Sequence, residues 1–205
     1  MKHIEVVAFD CDGVMFDTEL ANQAYYNHLL EHFGRAPMSR AQLAFVHMHT
    51  VNESLAHIFD DEQTVEAAHA YRKTLDYRLF IKYLQMEPNL VPLLVKLKPR
   101  FKTAIATNRT DTINRLLSEF DLNGYFDLVV TALDIQRPKP HPDPLLRILD
   151  HFQSEPGHAL YVGDSQLDEM AARAANVHFV AYCNPGLAAG HHISSLKDLE
   201  TLLGL

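Results

Sequence analysis

Val6-Val7-Ala8-Phe9-Asp10-Cys11-Asp12-Gly13-Val14 is the stretch on which the fold of this chain turns. Val6 to Phe9 is β-branched and aromatic, too short for a free helix, and reads as a buried strand. It stops abruptly at two carboxylates one residue apart, followed by a glycine that permits a sharp turn. In an open parallel sheet, chemistry collects at the carboxyl ends of strands. Two carboxylates placed there repel each other unless a cation or a shared proton relieves them, and a hard divalent metal is a natural partner. Taken alone, the pair also fits a helix N-cap or a turn.

Working outward, the pattern alternates strands and helices with one interruption. Glu19 to Phe33 has helical periodicity, and Gly34 and Pro37 end it. From Ser39 to Leu84 no strand is evident. Short helices are expected at about 40–45 and 52–59 with Ser39 and Asn52 as N-caps, then a longer one at about 62–83. Beyond Pro88-Asn89 the alternation resumes: helix 90–97, strand 102–106, helix 110–120, strand 128–131, a proline-rich loop 138–144 running into a helix that ends near Phe152, strand 159–162, helix 166–175, strand 177–181 and a last helix 194–203. The segment holding Tyr182-Cys183-Asn184-Pro185-Gly186 and His191-His192 reads as a loop. This order predicts an α/β fold, a doubly wound parallel sheet carrying an all-helical insertion.

Composition narrows the function. Of 205 residues, 47% are hydrophobic and 21% charged, as in an ordinary globular protein. A net charge of −8 argues against general binding to nucleic acid or anionic membrane. It leaves an anionic substrate possible, because a metal and one lysine reverse the sign locally. Cys11 and Cys183 make neither a disulfide framework nor a zinc site. No signal peptide and no apolar run near the roughly 20 residues of a membrane span are evident, so a cytoplasmic location is expected.

Polar residues stand at three strand ends where apolar ones would be the structural default: Asp10/Asp12, Thr107/Asn108 and Gly163/Asp164, with Lys139 between Pro138 and Pro140. A doubly wound sheet converges such ends on one crevice. Asp10-Cys11-Asp12-Gly13-Val14 with Asp17-Thr18, Thr107 in Ile105-Ala106-Thr107-Asn108, Lys139 in Arg137-Pro138-Lys139-Pro140, and Gly163-Asp164-Ser165-Gln166-Leu167-Asp168 resemble, in order, the four motifs of the haloacid dehalogenase-like hydrolase superfamily. The resemblance spans essentially the whole core.

That resemblance implies a reaction. Asp10 would be the nucleophile forming an aspartyl-phosphate, and Asp12 the general acid/base, a role helped by a raised pKa. Mg²⁺ would be held by Asp10, the Asp12 backbone carbonyl and Asp164. Thr107, Asn108 and Lys139 would hold phosphate, and Lys139 would also offset the accumulated negative charge and keep Asp10 ionised. Asp168 would position Lys139 or a metal-bound water, or stand as an acidic residue favoured in a first helical turn. Dehalogenases of this type lack an acid/base at the Asp12 position, so Asp12 favours a phosphatase or phosphomutase.

The insertion matches a cap, giving domains 1–16 and 89–205 (core) and 17–88 (cap), with hinges near Phe16-Asp17 and Pro88-Asn89. Candidate substrate contacts are Asn22, His47, His49, Thr50, Asn52 and Arg72. With 13 histidines in the chain, His47 and His49 read equally as surface residues. Arg109 contacts substrate or solvates its turn. Cys11 reads as a buried spacer. The expected activity is a Mg²⁺-dependent phosphomonoesterase acting on a small phosphorylated metabolite, similar to phosphoglycolate phosphatases. The alternatives are a sugar phosphomutase resembling β-phosphoglucomutase and a non-catalytic metabolite-binding protein.

Overall fold

A computed structural model describes residues 3–205. In chain order its elements are β1 (Val6–Phe9), β2 (Phe16–Asp17), α1 (Glu19–His32), α2 (Arg40–Met48), α3 (Val51–Ile58), α4 (Glu62–Arg72), α5 (Arg78–Ile81), β3 (Gln85–Met86), α6 (Leu90–Leu97), β4 (Lys102–Ala106), α7 (Ile113–Glu119), β5 (Leu128–Val130), α8 (Asp143–Phe152), β6 (Ala159–Gly163), α9 (Gln166–Ala174), β7 (His178–Tyr182), β8 (His191–Ile193) and α10 (Asp198–Leu203). The chain divides into two compact units, residues 1–16 with 86–205, and residues 17–85.

The larger unit is built on a six-stranded sheet of order β5-β4-β1-β6-β7-β8 with every neighbouring pair parallel. All four β1 residues are buried, as a central strand covered on both faces requires. Phe9 is in register with Ile105 of β4 and Val162 of β6, so the residues just beyond these strands emerge side by side. The chain order reverses at β1, which makes this edge the topological switch point. One face carries mostly small residues, among them Ala8, Ala104, Ala106, Ala159 and Ala181, packed in one core with Leu145, Ile148 and Leu149 of α8 and Ala171 and Ala172 of α9.

β8 lies where the sequence reads as loop. It pairs parallel to β7 after only eight intervening residues, without the longer crossover that usually joins parallel strands. Cys183, at φ 51°, turns the chain, and its N–H donates to the Ile193 carbonyl at 2.8 Å.

The smaller unit contains α1 to α5 around its own core of Tyr25, Tyr26, Leu29, Leu30, Val46, Leu55, Ile58, Phe59, Ala68, Tyr77 and Phe80. The long helix expected over 62–83 is broken in two. α4 stops at Arg72, the Thr74 hydroxyl donates to the Tyr71 carbonyl at 2.7 Å, and α5 begins only at Arg78. The N-cap of α3 is Thr50, not Asn52: its hydroxyl accepts from Glu53 N while Glu53 answers to Thr50 N, a reciprocal capping box. Ser39 caps α2 in the same way, as expected.

β2 and β3 form a separate two-stranded sheet, and the division between the units falls inside each of them. Residues 86–88 therefore group with the larger unit. Glu87 N donates to the Met15 carbonyl, and the buried Glu87 carboxylate accepts from Asn89 N, Ser195 Oγ and Leu196 N.

Candidate active site

Asp10 follows β1 directly, and its N–H extends the ladder to the Val162 carbonyl at 2.9 Å. Its Oδ1 accepts from Cys11 N at 2.7 Å and lies 2.8 Å from Lys139 Nζ. Cys11 is fully buried, so it fills space under the turn. Burial pushes the Asp10 carboxyl upward, as do Asp168, Asp164 and Asp12, while the Lys139 ammonium pulls the other way.

Gly13 explains how two acidic loops meet. Its φ of +80° favours glycine, and a Cβ there would stand 2.1 Å from Asp164 Oδ2. The Asp164 backbone carbonyl is tied by Asn184 Nδ2 at 2.8 Å. Burial and the nearby Asp168 charge push the Asp164 carboxyl up to about 7. Gly163 is the second close approach, since a Cβ there would lie 2.4 Å from the Asp168 Cβ.

Lys139, 3% exposed, is the hub. Its ammonium reaches Asp168 Oδ1 at 2.6 Å, the Tyr161 hydroxyl at 3.0 Å and Asp10 Oδ1 at 2.8 Å, which accounts for its three donors. Burial alone would lower the lysine, but the charges of Asp10 and Asp168 more than reverse this and hold it protonated. Asn108 clamps the loop: its Oδ1 accepts from Lys139 N at 3.0 Å and its Nδ2 donates to the Lys139 carbonyl at 3.1 Å.

Asp168 serves both of the purposes considered for it. As the third residue of α9 it completes a capping box with Ser165, its Oδ2 accepting from Ser165 N. Its Oδ1 takes the Lys139 and Tyr161 bonds. Burial works to raise its pKa, but the Lys139 ammonium and these hydrogen bonds hold it below the usual carboxylate range. Both oxygens are occupied, so Asp168 is unsuited to a metal although it lies near Asp10 and Asp164.

Tyr161 is a site residue that motif reasoning passed over. It is fully buried in β6, accepts from Lys139, and has its own proton within reach of Asp168 Oδ1 (2.7 Å) and the Ala106 carbonyl (3.0 Å). The available signal was a phenol in the middle of Ala159-Leu160-Tyr161-Val162-Gly163, because a buried hydroxyl must find partners.

Thr107 follows β4 and its hydroxyl accepts from Arg109 N at 3.1 Å. Arg109 does not solvate its turn. Its guanidinium forks onto Asp12, Nε to Oδ2 and Nη2 to Oδ1, both at 2.7 Å.

A divalent cation suits this donor set. The ligand oxygens of Asp10, Asp164 and Asp168 fall within 4.8 Å of one another, and four carboxylates face two cationic side chains. With Asp168 committed elsewhere, Asp10 and Asp164 are the side chains fit to hold it.

The other candidates lie in the smaller unit. Asn22 Nδ2 is 3.1 Å from His47 Nδ1. His49 bonds the Phe45 carbonyl through Nδ1 (2.9 Å) and stacks on the Phe45 ring at 3.8 Å. Thr50 is committed to its capping box, Asn52 is exposed on α3, and Arg72 Nε is directed at His69 Nδ1, 3.5 Å away.

Among the described residues, no helix is long and apolar enough to cross a membrane. The chain is 30% identical to the pyrophosphatase PpaX of Bacillus pumilus over 84% of this chain and 80% of the relative. It is 31% identical to a phosphoglycolate phosphatase of Nitrosospira multiformis over 89% of this chain and 83% of the relative. A crystal structure of a HAD-superfamily hydrolase, subfamily IA, from Geobacter sulfurreducens is 40% identical and superposes with a TM-score of 0.80, covering 98% of this chain and 97% of that one. β-Phosphoglucomutase of Clostridium difficile, at 20% identity and a TM-score of 0.86 over 98% and 96% of the two chains, shares the fold. The family model for haloacid dehalogenase-like hydrolases matches residues 7–182, and the chain belongs to that family.

Proposed function

We propose that the chain is a Mg²⁺-dependent phosphomonoesterase for a small phosphorylated metabolite, with residues 17–85 acting as a cap that selects the leaving group. The observation that carries this reading is the grouping of Asp10, Lys139 and Asp164 at the β1 and β6 ends, with Asp12 beside them. The names of the Bacillus and Nitrosospira relatives support a phosphate-releasing reaction.

Asp10 attacks phosphorus in line, the bond from phosphorus to the leaving oxygen breaks, and Asp12 donates a proton to that oxygen. Asp12 then takes a proton from a water molecule, whose oxygen attacks the aspartyl-phosphate, releasing inorganic phosphate and regenerating Asp10. Lys139 and the Cys11 N–H fix the orientation of the nucleophile carboxylate. Thr107 Oγ1 and backbone N–H groups of the Asn108 turn hold phosphate oxygens. Asp10, Asp164 and the Asp12 carbonyl would hold Mg²⁺, which would supply charge neutralisation for the phosphoryl group.

Lys139 acts here mainly on Asp10, since its three donors already have partners. Of the two roles expected of it, these contacts favour keeping Asp10 ionised over holding phosphate. Phosphate release from an aryl phosphate, measured with Mg²⁺ and then with EDTA, tests the reading. Release should require Mg²⁺ and vanish in Asp10→Asn. Isomerised sugar phosphate without free phosphate would instead select a phosphomutase.

A further inference from the structure

Arg109 and Asp12 form an ion pair separate from the one that joins Lys139 to Asp10 and Asp168. Both Asp12 oxygens are held by one guanidinium edge, each at 2.7 Å. The Arg109 side chain is 8% exposed, the same as that of Asp10, and that of Asp12 is 14%, against 3% for Lys139, so Asp12 is the more open member of the fork. The guanidinium is also anchored away from Asp12, with Nη1 donating to Thr112 Oγ1 at 3.2 Å. The Arg109 backbone is pinned twice, N to Thr107 Oγ1 and its carbonyl accepting from Ala132 N at 3.0 Å. A receptor with a planar fork is therefore held in place while its present occupant sits on a separate loop.

The Nε/Nη2 edge of arginine binds a carboxylate or a phosphate in the same bidentate way, and lysine does not reproduce it. The occupant is also the group that must direct a proton at the leaving oxygen, which it cannot readily do while both of its oxygens face Arg109. Lys139 is an unsuitable anion receptor for the leaving group, because its donors are committed to Asp10, Asp168 and Tyr161.

We propose that Arg109 is the receptor for an oxyanion on the leaving-group side of the substrate, a carboxylate or a second phosphate. This group takes over the guanidinium fork that Asp12 fills in the free enzyme. The inference rests on the phosphatase reading and narrows its substrate class. An anionic leaving group does two things at once: it binds Arg109, and it releases Asp12, which takes a proton from solvent water and delivers it to the leaving oxygen as the bond to phosphorus breaks. Neutral leaving groups, such as those of simple sugar phosphates, leave the fork closed.

The test compares 2-phosphoglycolate and pyrophosphate with 2-hydroxyethyl phosphate, which keeps the size of phosphoglycolate but lacks its carboxylate charge. Wild-type protein, Arg109→Gln, Arg109→Lys and Asp10→Asn are assayed with Mg²⁺. Loss of all turnover in Asp10→Asn establishes the phosphatase reading independently. Arg109→Gln should then lower kcat/KM for the oxyanion-bearing substrate about 10- to 100-fold, the range for losing charge-assisted bonds. 2-Hydroxyethyl phosphate turnover should not fall with it, because removing the guanidinium also frees Asp12, and Arg109→Lys should restore only part of the loss. The arm that falls further, phosphoglycolate or pyrophosphate, identifies the oxyanion as carboxylate or phosphate. Equal losses on all three substrates would overturn the inference while leaving the phosphatase reading intact. Wild-type protein that releases phosphate from none of them would overturn both. A measurement free of turnover is glycolate titration of Asp12→Ala, in which the fork has lost its internal occupant. Glycolate should bind Asp12→Ala and fail to bind Asp12→Ala with Arg109→Gln; failure to bind Asp12→Ala would overturn the inference.

Discussion

Asp168 Oδ1 lies 2.6 Å from Lys139 Nζ, and the same nitrogen lies 2.8 Å from Asp10 Oδ1, so one buried ammonium joins the proposed nucleophile to a carboxylate on α9. All three side chains are almost fully withdrawn from water, where an isolated charge is costly and a matched one is tolerated. Asp168→Asn keeps the shape but removes the charge that faces Lys139. It should destabilise the fold by about 3–5 kcal/mol, the usual cost of breaking a buried pair from one side. Urea denaturation at neutral pH checks this; an unchanged midpoint would remove Asp168 from its anchoring role.

Tyr161→Phe removes one hydroxyl and leaves its partners, the Lys139 ammonium and the Ala106 carbonyl, without that contact. A stability loss of about 1–3 kcal/mol is expected for groups left buried and underpaired. Because Tyr161 acts through Lys139 and does not itself touch substrate, kcat should fall while KM stays close to that of the wild type. A rise in KM alone would mean that the phenol does not position Lys139.

The Asp164 carboxyl, pushed up to about 7 by burial and the Asp168 charge, sets a pH dependence for the metal-free protein. Between the ordinary carboxylate value near 4 and about 7, the folded state holds a proton that the unfolded state has lost. Stability must therefore fall as pH rises through this window. With EDTA the melting temperature should drop between pH 5 and pH 7.5. Added Mg²⁺ should raise it more at pH 7.5, where Asp164 is the better ligand. A melting temperature that rises with pH in EDTA would contradict this account.

The core was legible because its signals are local. β1 is a buried run ending in charge, and the Thr107, Lys139 and Asp164 positions each follow a strand or precede a helix at fixed short distance. Asp10 and Asp164 come together because β1 and β6 are neighbours, and Lys139 joins them because Asn108, beyond the adjacent β4, holds its loop. The Arg109–Asp12 fork was not legible. It depends on which way a long side chain turns across 97 residues of sequence separation, and no periodicity encodes that. Tyr161 was missed for a related reason, since β propensity explains a tyrosine in a strand without any polar role. β8 escaped because eight residues are fewer than a parallel connection usually needs. In the smaller unit, the short helices were visible but their caps were not all identified: both Thr50 and Asn52 suit an N-cap by residue type, and only backbone geometry distinguishes them.

Gly13→Ala tests the acidic cradle. The added methyl would stand 2.1 Å from Asp164 Oδ2, at a φ of +80° that alanine adopts with strain. Asp164 must move, so the Mg²⁺ concentration for half-maximal activity should rise at least about tenfold, in line with the effect of disturbing groups around a metal site. Unchanged Mg²⁺ dependence would show that the Asp164 carboxylate does not serve the metal.

Thr50→Ala separates two roles that one residue type could fill. The Thr50 hydroxyl accepts from Glu53 N at 3.3 Å and donates to Glu53 Oε2 at 2.7 Å, while Glu53 Oε2 accepts from Thr50 N at 2.9 Å. All the hydroxyl contacts are therefore those of a capping box, and the expected cost of losing them is about 1 kcal/mol of stability. Thr50→Ser should recover most of it, because serine offers the same oxygen at an N-cap. If capping is the whole of its role, KM in Thr50→Ala stays within about twofold of wild type, well inside the effect of losing a real substrate hydrogen bond. A large rise in KM that Thr50→Ser reverses, with the melting temperature unchanged, would instead place the hydroxyl on the substrate and make the capping box a feature of the free enzyme alone.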